Sequence, residues 1–312
     1  MLASGWRNGE SDELSGLEGE LAAVGAAALF GLSSTFFTLA GRRVGPSTVN
    51  RARLLLAAIL ALGLHWVTRG EPLPSAATVN AWLWLGLSGV IGLALGDASL
   101  FHAYVRIGPA LSMLIFSTTP VFTSLFGYVF LGESLTGVEW AGIAVTLFGI
   151  AWVVSEPKRR DFHGARSSYR AGLLFAAGGA LGQALGLLTA KLGLAEGVGP
   201  QSANLMRLLA AAAAIWVVAF LTGGANQTHS AFRNDPRASV FTTLGTAAGP
   251  IFGVWLSLVA IDQARLGIVS TLMSLTPIFL LPIARLVFSE PISYRAVFGT
   301  IVALSGATIL LR

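Results

Sequence analysis

Apolar residues in this chain gather into runs of about 20, and short polar intervals between the runs hold most of its Lys, Arg, Asp and Glu. Ten runs stand out, at 21–41, 47–67, 79–102, 109–131, 136–155, 170–191, 200–221, 239–261, 267–288 and 293–311. Each is long enough to cross a bilayer as a helix. Backbone in hydrocarbon has to satisfy its own N–H and C=O groups, so ten apolar runs predict ten transmembrane helices and an all-α integral membrane protein. The connections are short except for 156–169 and 222–238, and neither of these is long enough for a soluble domain. Residues 1–18 are polar and acidic and read as a disordered tail. The first run has the look of a signal-peptide core with Ala40-Gly41 as a cleavage site, but it has a counterpart later in the chain and is therefore read as a span.

That counterpart belongs to an internal repeat. Residues 120–153 align with 277–310 at a constant offset of 157, which superposes Pro120 on Pro277, Glu133 on Glu290, Gly142 on Gly299 and Gly149 on Gly306. Upstream, Leu85-Gly86 matches Leu244-Gly245, and Arg106 and Gly108 match Arg265 and Gly267, at offset 159. Gly45-Pro46, Asn50 and Arg53 match Gly199-Pro200, Asn204 and Arg207 at offset 154. The chain thus divides into a tail (1–18), a five-helix repeat (19–155), a basic linker (156–169) and a second five-helix repeat (170–312). Five is odd, so the second repeat enters the membrane from the opposite side. Inverted-topology repeats of this kind are the architecture of many secondary transporters, because two oppositely oriented copies can exchange conformations around one central site.

Composition narrows the field. Hydrophobic residues make up 54% and charged residues 11%, with a mean hydropathy of +0.73. Soluble domains carry about 25% charged residues, so a soluble enzyme or a nucleic-acid-binding protein is excluded. The net charge of +5 is that of a multi-pass protein with Lys and Arg in its loops, and no nucleic-acid partner is implied. There is no cysteine, hence no disulfide, thiolate metal site or Cys nucleophile. No metal-ligand or catalytic constellation is present, and no GxxxxGK[ST] loop that would couple the protein to ATP; no cofactor is expected.

The paired five-helix halves, the segments Gly132-Glu133-Ser134 and Ser289-Glu290-Pro291, the glycine pairs Gly142/Gly149 and Gly299/Gly306, the Arg in the second helix of each half and Gly96-Asp97 resemble the drug/metabolite transporter superfamily, specifically its EamA-type members. The resemblance covers about residues 20–311. It implies a ten-helix carrier in the cell membrane, in many cases an exporter of amino acids or related metabolites, without naming a substrate.

Several residues carry candidate chemistry. Asp97 lies inside the third span, where a carboxylate must be neutralised, paired or hydrated, and could carry a proton. Its repeat partner is Leu256, so this feature is asymmetric. His102, five residues on, is a candidate proton relay or a headgroup contact. Arg53 and Arg207 sit about 9 Å into their helices, with Asn50 and Asn204 on the same faces. Each Arg–Asn pair either grips a substrate carboxylate or lets the Arg reach back to the interface. Gln183 is a lone polar residue in the sixth span, suited to substrate or to an inter-helical hydrogen bond, and Trp255, the deepest tryptophan, is a candidate cavity wall. The other tryptophans read as an interfacial belt. Pro120 and Pro277 fall mid-span and free the carbonyls of Phe116 and Met273, as gates or static kinks. In the gating version Thr118, Thr119 and Thr276 face the cavity. Glu133 and Glu290 read as helix N-terminal carboxylates. The glycine pairs read as helix-packing sites, with a homodimer seam as one use.

The two sides of the membrane differ in basic residues. The side of the termini holds Arg7, Arg69, Lys191, Arg265 and Arg312, while the other holds a larger set that includes Arg42, Arg43, Arg106, Lys158, Arg159, Arg160 and Arg237. The positive-inside rule places the termini outside the cell, whereas the resemblance implies termini in the cytoplasm, and orientation stays open. Three functions remain: a carrier of small metabolites, proton-coupled through Asp97; a lipid-intermediate flippase of the same fold; and an intramembrane enzyme using Asp97 and His102.

Overall fold

The computed structural model describes residues 4–130, 136–154, 166–263, 269, 272–273, 275–288 and 293–309. Each of the ten predicted spans is mainly helical over its described residues, and no strand occurs among the described residues. The helices are α1 (Ser4–Val44), α2 (Pro46–Arg69), α3 (Val79–Ile107), α4 (Pro109–Phe116), α5 (Thr119–Phe130), α6 (Gly137–Val154), α7 (Arg166–Leu194), α8 (Pro200–Leu221), α9 (Gly224–Asn234), α10 (Pro236–Gln263), α11 (Thr276–Phe288) and α12 (Tyr294–Ile309). Seven stretches among the described residues are long and apolar enough to cross a bilayer, with α4 and α5 (Pro109–Phe130) counted as one. Two differences from the sequence reading concern the first span and the long connection. The polar residues from Ser4 onward are helical and continue into the first span in place of an irregular tail. The 222–238 interval folds into the short helix α9.

Turns between spans are set by Gly-Pro steps. Gly45 (φ 88°) and Gly108 (φ 81°) take a backbone conformation that L side chains rarely adopt. Pro46 and Pro109 then open the next helix at the position where a missing N–H costs nothing. The mid-span prolines act differently. Ahead of Pro120 the helix breaks at Ser117 and Thr118, which separates α4 from α5. The Phe116 carbonyl freed there accepts a hydrogen bond from Thr119 Oγ1 (2.7 Å), and the Met273 carbonyl ahead of Pro277 accepts one from Thr276 Oγ1 (2.7 Å). Both halves therefore close the gap with the adjacent threonine, and those hydroxyls are turned to backbone.

The two halves interlock. The third helix, α3, packs on α7 and α8 of the second half, and α10 packs on α1 and α2 of the first. Glycine allows the first contact: a Cβ at Gly182 or Gly186 would meet the backbone of Gly96 (2.7 Å) or Gly92 (2.9 Å). Ser88 Oγ donates to the Gly186 carbonyl at 2.5 Å. In the reciprocal contact Ser33 Oγ donates to the Gly245 carbonyl at 2.8 Å. The repeated glycines join the last helices of the halves. A Cβ at Gly149 would strike the Ala303 backbone of α12, and one at Gly306 the Thr146 backbone of α6. These glycines are thus used inside the chain and not in a seam between copies. Glu133, Glu290, Arg265 and Gly267 lie outside the described residues.

On the face that carries the 42–46 turn, Arg43 Nε contacts Asp235 Oδ2 at 2.6 Å and ties the first half to the second. The hydrogen bond from Arg43, with help from the Ala238 N–H, holds the Asp235 carboxyl below the usual carboxylate range.

Two outcomes follow from these contacts. Gly306→Ala should cost about 1–3 kcal/mol, because the added methyl meets backbone that cannot yield; Gly63→Ala, with nothing within 4 Å of its Cβ, should leave thermal unfolding in detergent unchanged or slightly raised. Asp235 is depressed in the folded state, so its contribution is present above the ordinary carboxylate pKa and lost as pH falls through the lowered one. Carboxyl NMR should show its midpoint moving up in Arg43→Gln.

Candidate functional site

α3 and α10 each contain a π-helical segment, Gly89–Gly96 and Ala247–Gly253, at corresponding places in the two halves. A π segment widens the helix and leaves backbone carbonyls without their usual partners, and such segments cluster at functional sites. Here side chains from the second helix of each half complete them. Asn50 Nδ2 donates to the Ala94 carbonyl (3.1 Å), and Asn204 Nδ2 donates to the Pro250 carbonyl (3.1 Å). Pro250 lacks an N–H and contributes to the second irregularity.

Arg53 is held from several directions. Its Nη2 donates to the Leu93 carbonyl (2.7 Å) and to Asp97 Oδ2 (2.7 Å), and its Nε donates to Asn50 Oδ1 (2.8 Å). The Phe101 and Phe37 rings lie 4.8 and 5.6 Å from the guanidinium carbon, within cation–π range. Arg53 is 2% exposed and Arg207 1%, so neither extends back to the membrane interface. Gly89 makes room for Arg207: a Cβ there would coincide with the Arg207 backbone carbonyl.

Between the halves lies a cavity of about 580 Å³ of empty space, its open mouth included. Arg53, Asp97, Gln183 and Arg207 supply its polar groups together with Ser33, Ser34 and Ser257, and Phe30, Phe37, Phe101, Tyr104, Met113 and Phe116 supply apolar wall. α1, α2, α3 and α4 of the first half and α7, α8 and α10 of the second all contribute. The structure therefore brings together Arg53, Asp97, Gln183 and Arg207, with Asn50 and Asn204 directly behind the arginines. Phe116 faces the cavity one turn before Pro120.

The other sequence candidates sit elsewhere. Trp255 is 39% exposed and is not part of the cavity wall. His102 is outside the cavity too: Arg106 Nη1 donates to its Nδ1 at 2.9 Å, its Nε2 lies 3.1 Å from Ser47 Oγ, and its ring stacks on Phe175. Because Arg can only donate, Nδ1 is the acceptor, and the neutral ring then donates from Nε2 to Ser47. The sequence reading missed the aromatic wall and the serines of α1, since apolar and small residues inside apolar spans carry no distinguishing signal. It missed the π segments as well, although Gly89, Gly92, Gly96 and Pro250 mark them.

Residues 17–155 and 170–312 each match the model of the EamA-like transporter family. The chain is similar to an uncharacterized transporter of Synechocystis sp., 27% identical over 138 residues, which is 43% of this chain and 41% of that one. It is also similar to a WAT1-related chloroplastic protein of Arabidopsis thaliana, 32% identical over 121 residues, 33% of this chain and 28% of that one. The matches thus span less than half the length of either relative. One solved crystal structure shares the fold at a TM-score of 0.63 and 17% identity, covering 95% of this chain and 94% of that one.

The Arg53–Asp97 pair generates a prediction. Arg53→Met strands the Asp97 carboxylate and should lower stability by about 3–5 kcal/mol, whereas Arg53→Met with Asp97→Leu should recover most of that loss. Thermal unfolding in detergent checks it; a double variant no better than the single one would show that Arg53 is not held by this pair.

Proposed function

This chain belongs to the EamA-like transporter family, and on that premise we propose a secondary or facilitative carrier that exports small metabolites such as amino acids across the cell membrane by alternating access. The observation that carries the reading is the shared cavity: both inverted halves contribute an arginine from the same helix position to one chamber walled by aromatic and small polar side chains. A multi-pass bundle with a small mixed-polarity chamber suits organic solutes better than multivalent ions. The halves touch along glycine-lined contacts between α3 and α7 and between α6 and α12, surfaces along which helices can shift without unpacking large side chains.

Asp97 supplies the coupling. It is the one carboxylate on the cavity wall among the described residues, and its partner is Arg53 of α2. A proton delivered to Asp97 removes the charge that holds Arg53, so proton uptake and the release of α2 from α3 become one event. Export then follows an inward proton gradient.

Reconstitution in sealed liposomes with a panel of radiolabelled amino acids and related metabolites, with and without a pH gradient, tests the proposal. Flux of at least one solute should rise with the gradient, and Asp97→Asn should abolish that dependence while leaving downhill flux. Gradient-driven flux unchanged in Asp97→Asn removes Asp97 from the coupling, and no mediated flux of any solute overturns the carrier reading.

A further inference from the structure

The two halves carry the same Asn–Arg pair in different states. In the first, Arg53 Nε donates to Asn50 Oδ1 at 2.8 Å. In the second, the corresponding atoms, Arg207 Nε and Asn204 Oδ1, are both buried and both without a hydrogen-bond partner. Arg207 Nη1 is in the same condition. The backbone anchor is nevertheless kept, since Asn204 Nδ2 still bonds the Pro250 carbonyl as Asn50 Nδ2 bonds that of Ala94. Only the arginine has turned away, and it forms part of the cavity wall with its Nη2 near Gly92.

Charge sharpens the contrast. Asp97 answers Arg53, but its repeat counterpart is Leu256, so the second half brings no carboxylate to Arg207. Arg207 has no ion pair among the described residues. The cavity wall then holds two guanidinium groups and one carboxylate, and the positive charge left over is on Arg207. Asp97 acts on Arg207 electrostatically as well, but its hydrogen bond goes to Arg53, so the wall keeps one positive charge in excess; a buried cation in excess is costly, and buried donors without partners are rare in native proteins.

We propose that Arg207 is the docking point for a carboxylate of the cargo, and that the cargo is a small organic monoanion with an apolar or aromatic body. This deepens the carrier reading and rests on it. A guanidinium presents a planar fork of donors that matches a carboxylate. Arg53 is unsuited to the task, because its Nε and Nη2 are already engaged. The body of the anion packs on Phe30, Phe37, Phe101 and Phe116. A monoanion brings the wall to neutrality, whereas a zwitterion leaves the excess charge, so within the proposed range of small metabolites those of net charge −1 are preferred over zwitterionic amino acids.

The test uses the full chain in lipid nanodiscs, with acetate, butyrate, benzoate and 3-phenylpropionate as probes, 3-phenylpropionamide as the neutral match, L-phenylalanine as the zwitterion and sodium chloride as the inorganic anion. At least one of the carboxylates should raise Tm and bind saturably, with 3-phenylpropionamide at least tenfold weaker than 3-phenylpropionate and L-phenylalanine in between. Arg207→Met should lose carboxylate binding while its unliganded Tm stays equal or rises, because an unanswered buried charge has gone; Arg207→Lys should bind more weakly than wild type. In the binding assay the proposal is overturned by no binding of the four carboxylates, by the amide binding as tightly as the acid, by binding retained in Arg207→Met, or by chloride shifting Tm as much as the carboxylates. If liposomes transport a neutral or cationic metabolite equally with Arg207→Met, the carrier reading stands and this inference falls. Arg207-dependent carboxylate binding by a protein that moves no solute does the reverse.

Discussion

An arginine kept at membrane depth needs a counter-charge and acceptors for its donors, and Arg53 obtains both from α3. Asp97 provides the charge, and the Leu93 carbonyl and Asn50 take the remaining donors engaged in the structure. The neighbouring Ala94 carbonyl accepts from Asn50 in turn, so the widened turn of α3 is occupied by two side chains of α2. α3 must therefore be wide in one place and narrow in the rest. Its π segment makes it wide, and Gly89, Gly92 and Gly96 let α7 and α8 approach it closely on the other faces. The cavity is the space left where this buttressed helix faces α1, α4 and α10.

Duplication explains why the same devices occur twice, and divergence explains why they are not equal. Both halves open their second helix with Gly-Pro, place Asn and Arg at the same spacing, widen the following helix and close their proline breaks with a threonine. Only the first half has the carboxylate. That single difference converts a symmetric pair of arginines into one that is locked by hydrogen bonds and one whose Nε and Nη1 have no hydrogen-bond partner. An inverted repeat has to reach two conformations related by exchange of its halves. In the proposed carrier, an unequal pair of polar anchors at the centre would give the two conformations different affinities for protons and for anions.

Much of the architecture is legible in the sequence because bilayer physics leaves few choices. Apolar run length dictates the spans, and collinear Pro, Arg, Asn and Gly matches reveal the repeat. Asn50, Arg53, Asp97, Asn204, Arg207 and Gln183 stand out as polar groups in apolar surroundings, and all lie in or directly behind the cavity wall. What the sequence hides is direction. Trp255 lies deep in its span yet turns outward, because depth along a helix says nothing about azimuth. His102 is five residues from Asp97, which swings it off the cavity face and onto Ser47, Arg106 and Phe175. The aromatic wall is invisible for the same reason: Phe30 or Phe101 in an apolar span looks like any lipid-facing residue until the packing is known. The different states of the two Asn–Arg pairs are equally hidden, since identical spacing predicts identical pairing.

The central claim is that one chamber between two inverted halves is reached from each side of the bilayer in turn. Because the chain has no cysteine, a single thiol at Gln183→Cys on the cavity wall reports access directly. With the protein in liposomes of known orientation, a membrane-impermeant thiol reagent should label that position from either side, and a condition that raises labelling from one side should lower it from the other. Labelling confined to the same side under every condition, or equal and simultaneous from both, would contradict alternating access.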